Sequence, residues 1–198
     1  GVGEMAECPD YFELDGKRVL ICCVMGSEQK DMPNHQPVVY WAGEEKAGEL
    51  VTSEPMRAVD WGLDFYAPQT TLTPDGRRVA IGWAYQWGAT LPTHTLGHGW
   101  AGALTLPREW RLCQGQLWQQ PVSELQQLRC HPVQLPARDI KSRQCLGDLA
   151  GASKELLLTI RLQRASRVSL RVMETGSEYV ELIYDHEERQ LILSRENS

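Results

Sequence analysis

A short pattern that occurs twice in this chain strongly constrains its fold. Residues 9–21 read PDYFELDGKRVLI, and residues 68–81 read PQTTLTPDGRRVAI. In each window a proline precedes a short strand-like run, then an Asp-Gly pair, and then a basic residue followed by Val and Ile. Asp-Gly between two such runs is typical of a β-hairpin. Because Gly16 and Gly76 lie 60 residues apart, the repeat favours a β-propeller, whose blades are sheets of about four strands.

The remaining sequence shows little helical periodicity. Only residues 121–129 (PVSELQQLR) space their apolar side chains as a helix does, and this stretch is short. Elsewhere, runs of apolar and β-branched residues alternate with Gly, Pro and Asp-Gly, which predicts an all-β chain. Residues 112–119 predict a third hairpin. The predicted strands are 18–24, 38–43, 78–85, 101–106, 115–122, 155–162, 167–173, 178–185 and 190–195.

The pattern changes after about residue 135. Aromatic residues become rarer, and residues 155–195 alternate more regularly between apolar and polar side chains. This alternation is typical of antiparallel strands packed on one face, as in a β-sandwich. We therefore predict two parts: propeller blades over 1–133, then a linker and the first strands of a sandwich over 134–198. About four strands are predicted for the second part.

Charge and cysteine usage exclude several classes of partner. The net charge is −6, and no basic run is present that could neutralise phosphates, so we expect no nucleic-acid partner. No apolar stretch is long enough to span a membrane, and we expect no membrane partner. The six cysteines form no CxxC pair, and the adjacent Cys22 and Cys23 would point to opposite faces of a strand. These features favour a reducing, cytoplasmic location over a disulfide framework.

Two motifs suggest ligands but lack the required context. Residues 97–102 (GHGWAG) match G-x-G-x-x-G, but the strand-like residues that follow offer no helix to bind a pyrophosphate. His94 and His98 have a zinc-like spacing but lack a third ligand. We therefore predict neither a cofactor nor a metal.

Six segments, in order along the chain, together resemble glycoside hydrolase family 32, the invertases, sucrose-6-phosphate hydrolases and related fructan hydrolases. ECPD resembles the acid/base motif of the family, and DWGLDFYAPQT resembles its D-x-G-x-D-F-Y-A segment. The last segment, which includes YDHEERQLILSR, has Ser194 where the family usually has Asp. The six segments are 7–10, 60–70, 77–87, 98–112, 117–129 and 180–195.

This resemblance implies a fold and a reaction. The family folds as a five-bladed β-propeller followed by a β-sandwich, and it hydrolyses β-fructofuranosides with retention. A retaining mechanism needs two carboxyl groups about 5–5.5 Å apart. The motif match makes Glu7 the acid/base, and the expected substrate is sucrose or sucrose 6-phosphate. A levanase, an inulinase or a fructosyltransferase is the alternative within the family.

The resemblance also implies roles for other side chains. Asp60 would bind a sugar hydroxyl, Asp64 would contact what lies beyond the fructose, and Trp83 would line the pocket. Cys8 would line the fructose site or serve as a packing thiol. Without the family, the two aspartates are loop carboxylates and Trp83 is a core residue. We expect Asp10 to hold its own turn, with the Cys8-Pro9 pair at the strand entry.

Two family motifs are absent from the chain. It contains neither the Asn-Asp-Pro-Asn-Gly motif that carries the nucleophile nor the Arg-Asp-Pro motif that binds fructose. The resemblance therefore implies an internal part of the enzyme that is inactive alone and self-associates through exposed blade edges. A non-catalytic sugar-binding propeller is the alternative outside the enzyme class.

Overall fold

A computed structural model describes residues 2–27, 32, 36–84, 90–147, 149, 151 and 153–198. Within these residues almost all regular structure is β, which confirms the predicted fold class. The strands are β1 Met5–Leu14, β2 Lys17–Met25, β3 Val38–Lys46, β4 Glu49–Val51, β5 Arg57–Ala58, β6 Tyr66–Leu72, β7 Arg78–Ala84, β8 Ala103–Leu104, β9 Arg108–Cys113, β10 Gln116–Pro121, β11 Arg167–Thr175, β12 Glu178–Asp185 and β13 Gln190–Asn197.

Two short helices complete the described structure. Helix α1 spans Pro92–Thr95, and a 3-10 helix spans Ser123–Leu128, where the sequence predicted a short helical stretch. None of the described helices is long and apolar enough to cross a membrane. The chain divides into two compact units, Gly1–Pro132 and Val133–Ser198. The assignment of these parts as blades and sandwich stays a prediction.

The described residues of the first unit form two antiparallel sheets of five strands each. One has the order β1-β2-β3-β4, with β5 paired to β3, and the other has the order β10-β9-β7-β6, with β8 paired to β7. The predicted strand over 101–106 is reduced to Ala103–Leu104. The end of the predicted strand over 78–85, Tyr85, lies outside the described residues.

The three predicted hairpins all form, but their turns differ. Asp15 and Gly16 both have positive φ, 48° and 77°, as a two-residue type I′ turn requires. Gln114 and Gly115 form the same turn in the third hairpin. The second hairpin has a three-residue loop, in which the Gly76 N–H donates to the Thr73 carbonyl at 2.9 Å. This loop is one residue longer than the first, so the repeated prolines lie 59 residues apart and the repeated glycines 60.

The core of the first unit lies between its two sheets. Alternate side chains of β1, β2 and β3 point inward, and they meet aromatic residues of β6 and β9 from the other sheet. Trp110 on β9 is fully buried, and its Nε1–H donates to Gln119 Oε1 at 3.1 Å. The buried cluster comprises Phe12, Leu14, Val19, Ile21, Cys23, Val38, Tyr40, Ala42, Val59, Phe65, Tyr66, Ala80 and Trp110.

In the second unit, the part of the chain that the structure describes forms one antiparallel sheet, in the order β11-β12-β13. The predicted turn at 185–189 forms, and Asp185 Oδ1 accepts the backbone N–H groups of Glu187 and Glu188, each at 3.1 Å. The prediction of a strand over 155–162 was wrong, because these residues have no strand pairing and Leu157 is 95% exposed. The described sheet therefore has three strands rather than the four predicted.

Candidate active site

A β-bulge interrupts the first strand of each repeated hairpin. The pairing of β1 with β2 shifts between Glu7 and Asp10, and the pairing of β6 with β7 shifts between Tyr66 and Gln69. The residue after each bulge start has positive φ, 48° at Cys8 and 45° at Ala67. A proline follows in both strands. The prediction that Cys8-Pro9 lies at a strand entry was wrong, because β1 begins at Met5 and the pair forms a bulge inside it.

The two bulges bring a carboxyl group and a phenol together. The Tyr66 hydroxyl donates to Glu7 Oε2 at 2.6 Å. Tyr66 is only 4% exposed, whereas Glu7 is partly exposed. Burial and the hydrogen bond to Glu7 raise the pKa of Tyr66 well above its ordinary value. The phenol is therefore neutral and acts as a donor at any physiological pH.

Cys23 lies beside this pair on β2. It is the cross-strand partner of Glu7, and its Sγ accepts the Ala67 N–H at 3.2 Å. Burial raises the pKa of Cys23 to about 12, so the thiol stays protonated. Cys8, predicted to line the fructose site, is exposed. The site thus combines an accessible thiol, a buried neutral thiol and a carboxyl group.

Asp10 connects β1 to β6. Its Oδ2 accepts the Thr70 backbone N–H at 3.0 Å and the Thr70 hydroxyl at 2.6 Å. The prediction that Asp10 holds its own turn was wrong, because its partner lies 60 residues away. The reason is the bulge, after which Asp10 meets β6 of the other sheet.

Asp60 is held by a different set of contacts. Its Oδ2 accepts from Arg108 Nη1 at 2.5 Å, and its Oδ1 accepts the Gly62 N–H at 2.6 Å. Arg108 Nη1 also donates to Gln119 Oε1 at 3.2 Å. Both oxygens of Asp60 therefore have intramolecular donors, which set the direction of the carboxylate in the loop before β6.

Two residues predicted to bind the substrate lie close to Tyr66, one along the chain and one across the sheet. Asp64 is partly buried and precedes Phe65 and Tyr66. Trp83 is the cross-strand partner of Tyr66 on β7 and packs against the core cluster. Its indole also lies close to Gly102, where an added Cβ would be 2.7 Å from Trp83 Nε1. The pocket role of Trp83 stays a prediction.

Sequence reasoning missed Tyr66 and Arg108. The shared pattern of ECPD and YAPQ, each with a proline third, signals the repeated bulge and aligns Tyr66 with Glu7. Arg108 has no comparable local signal. In the described part of the chain, no three or more His, Cys, Asp or Glu side chains are grouped so that they could hold a metal ion.

Comparison with known proteins identifies the family of this chain. The family model of the glycosyl hydrolases family 32 N-terminal domain matches residues 1–121. The sucrose-6-phosphate hydrolase of Salmonella typhimurium is 42% identical over 132 residues, which cover 65% of this chain and 28% of that protein. The sucrose-6-phosphate hydrolase of Staphylococcus xylosus is 33% identical over 199 residues, which cover 99% of this chain and 40% of that protein.

A solved structure agrees with the sequence comparison. The GH32 β-fructofuranosidase of Bombyx mori superposes with a TM-score of 0.80 at 26% identity, covering 100% of this chain and 42% of that one. A variant of that enzyme, solved in complex with sucrose, matches equally well. The chain thus spans less than half the length of these relatives. The family model covers more than half of the chain, and the chain belongs to glycosyl hydrolase family 32.

Proposed function

We propose that the protein containing this chain is a retaining β-fructofuranosidase that hydrolyses sucrose or sucrose 6-phosphate, with Glu7 as its acid/base. The observation that carries the proposal is the Glu7 carboxyl group, which lies in β1 within the segment that resembles the acid/base motif of the family and accepts a hydrogen bond from the Tyr66 hydroxyl. The names of the relatives, and the sucrose bound to a variant of the Bombyx mori enzyme, support this substrate class. A cytoplasmic location stays a prediction.

In the proposed reaction Glu7 acts twice. It first protonates the oxygen that leaves the anomeric carbon of fructose, while a carboxylate nucleophile forms a fructosyl intermediate. It then removes a proton from the water that hydrolyses this intermediate. The family carries the nucleophile in an Asn-Asp-Pro-Asn-Gly motif, which is absent from these 198 residues. We therefore expect the chain to be inactive alone.

The remaining predicted residues would bind the sugar. Asp60 offers a carboxylate whose direction is set by Arg108 and Gly62, and such a fixed acceptor suits a sugar hydroxyl. Cys8 is exposed beside Glu7, and Trp83 is on the strand paired with Tyr66. For Asp64 we propose contact with the part of the substrate beyond the fructose.

The test is release of glucose or glucose 6-phosphate from the two substrates. We would compare the 198-residue chain with the longest natural open reading frame that contains both this sequence and an Asn-Asp-Pro-Asn-Gly motif. We expect activity only in the longer protein, and Glu7→Gln should lower its kcat about 10²- to 10⁴-fold. Glu13→Gln, which removes an exposed carboxylate on the same strand, is the matched control and should leave kcat unchanged.

Each result separates the proposal from its rivals. Hydrolysis by the short chain would mean that another carboxylate, such as Asp60 or Asp64, is the nucleophile. Full activity of Glu7→Gln would overturn the acid/base assignment. Faster hydrolysis of levan or inulin, or transfer of fructose to another sugar, would favour the alternative enzymes. Sugar binding without hydrolysis by the longer protein would favour a non-catalytic propeller.

A further inference from the structure

The geometry points to Tyr66 as a positioning residue for Glu7. The Tyr66 hydroxyl donates its hydrogen bond to Glu7 Oε2, so the catalytic proton is carried by Glu7 Oε1. This inference rests on the proposed function and adds an assignment of the two carboxyl oxygens. The phenol is buried, so its hydroxyl needs a partner within the protein. Glu7 Oε2 supplies that partner at 2.6 Å, a length typical of a charge-assisted hydrogen bond.

The direction of the hydrogen bond decides which oxygen reacts. The hydroxyl has one proton, and donation to Oε2 makes that oxygen an acceptor. When Glu7 is protonated, its proton is therefore on Oε1. During fructosyl transfer the Oε1–H bond breaks as the proton moves to the glycosidic oxygen, which takes the electron pair of the broken bond to the anomeric carbon. In the second step Oε1 takes a proton from the attacking water.

Tyr66 itself is excluded as the acid. Burial and the neighbouring Glu7 raise the pKa of the phenol, so it holds its proton throughout the reaction. Its contribution is orientation and a constant hydrogen bond. The titratable groups that act on the phenol are Glu7 and Cys8 from β1 and Cys23 from β2. Burial keeps the Cys23 thiol protonated.

Contacts on both sides of Tyr66 hold it in place. The Ala67 N–H, one residue later, donates to Cys23 Sγ, and Thr70 is bonded to Asp10. These contacts connect β6 to β2 and to β1. The phenol therefore approaches Glu7 from a strand that is anchored near the bulge, which is what a positioning role requires.

The first experiment uses Tyr66→Phe in the longer, active protein. A donor to an ionised carboxylate stabilises the ionised form. Its loss should therefore keep Glu7 protonated to higher pH, and the alkaline limb of kcat/KM should move up by about one pH unit.

The same variant also tests the dependence on the leaving group. For sucrose, whose leaving group needs protonation, kcat should fall about ten- to hundredfold while KM changes little. An aryl fructofuranoside with an acidic leaving group, assayed with azide as acceptor, should be much less affected.

Tyr11→Phe is the matched control. The Tyr11 hydroxyl also donates to a carboxylate, Glu45 Oε2 at 3.2 Å, but this pair is exposed on the surface. Its removal should move neither the pH profile nor the dependence on leaving group. A Tyr66→Phe protein with the wild-type pH profile and leaving-group dependence would overturn the inference.

A second variant and a spectroscopic readout make the test independent of folding and of activity. Replacing Tyr66 with 3-fluorotyrosine keeps the shape of the side chain but makes the hydroxyl a stronger donor, so the alkaline limb should move to lower pH.

The spectroscopic readout uses the ¹³C carboxyl signal of Glu7 in the 198-residue chain, which is assigned by its absence from the spectrum of Glu7→Gln. This signal should titrate at higher pH in Tyr66→Phe than in wild type. If this signal shifts but the longer protein never hydrolyses fructosides, the proposed function and the catalytic role of Tyr66 fail while the hydrogen bond stands. If the signal does not shift, the positioning role fails even when hydrolysis is observed.

Discussion

At the scale of single residues, neighbouring cysteines on β2 have separate environments. Cys23 packs in the core between the two sheets, and Cys22 packs with Val24 and Val39 in a second buried cluster. The predicted opposite directions of these side chains agree with this separation, because successive residues of a strand point to opposite faces. Burial raises the pKa of both thiols. The four other cysteines, Cys8, Cys113, Cys130 and Cys145, are exposed.

We expect thiol reagents to distinguish these two groups. In the folded chain, four thiols should react rapidly with a disulfide reagent at pH 8, and the remaining two only after unfolding.

The stability of the fold should depend on the protonation of Cys23 at high pH. Because the pKa of Cys23 is raised to about 12, its protonated form stabilises the fold fully below pH 9, and this contribution is lost as the pH rises toward 12. Wild type should therefore lose more unfolding free energy between pH 8 and pH 11 than Cys23→Ala.

The control for this titration is Cys113→Ser, which should remove one rapidly reacting thiol and leave the slow pair unchanged. Rapid reaction of all six thiols in the folded chain would contradict the burial of Cys22 and Cys23. Equal loss of stability by wild type and Cys23→Ala at high pH would contradict the assigned pKa.

At the scale of elements, repeated hairpins meet through their bulges. Glu7 and Asp10 lie on either side of the bulge in β1. Tyr66 lies before the bulge in β6, and Thr70 lies after it. Two hydrogen-bonded pairs, Glu7–Tyr66 and Asp10–Thr70, join the strands at positions 59 and 60 residues apart. The repeat in the sequence therefore corresponds to a repeated structural unit. Its equivalent positions Glu7 and Tyr66 bond to each other, whereas Asp10 bonds to the residue after its own equivalent, Gln69.

We expect Asp10→Ala to lower the free energy of unfolding by about 1–3 kcal/mol, because two hydrogen bonds to a charged carboxylate are lost. Urea unfolding followed by circular dichroism measures the change. Glu13→Ala, which removes an exposed carboxylate from the same strand, is the control and should cost much less.

A double-mutant cycle completes the test of this contact. Thr70→Ala combined with Asp10→Ala should destabilise the chain by less than the sum of the single variants, because both remove the same interaction. Strict additivity of the two changes would show that Asp10 and Thr70 do not stabilise the fold as a pair.

At the scale of the whole molecule, the sheets differ in how much apolar surface they bury. The sheets of the first unit share a large core, whereas in the β11-β12-β13 sheet only Ile183 is a buried apolar residue. Met173 and Leu191 of that sheet are 75% and 76% exposed. Apolar side chains on an exposed sheet favour association with another chain.

We expect the 198-residue chain to self-associate as its concentration rises, through sheet edges and the exposed apolar side chains of β13. Light scattering across a concentration series measures this, and Leu191→Lys with Leu193→Lys should reduce the mean mass. Glu188→Lys, in the turn before β13, changes the charge without removing apolar surface and should have less effect. A monomer at high concentration would contradict the prediction.

The sequence by itself determined the features that depend on neighbouring residues. Asp15-Gly16 and Gln114-Gly115 specify their turns because few residues adopt positive φ, and alternating side chains specify β11 to β13. The same local reasoning was wrong over 155–162, whose apolar residues have no strand partner in the described structure. Strand formation needs a partner that local pattern does not supply.

Only the tertiary structure decided which distant side chains meet. Glu7 is recognisable from its motif, but its bond to Tyr66, the Asp10–Thr70 contact and the Arg108–Asp60 ion pair join residues 48 to 60 positions apart. Such contacts depend on strand register and on how two sheets pack. A one-residue shift at either bulge would turn the following side chains to the other face of the sheet. The shared proline pattern signals the two bulges, but it does not tell which side chains meet across the two sheets.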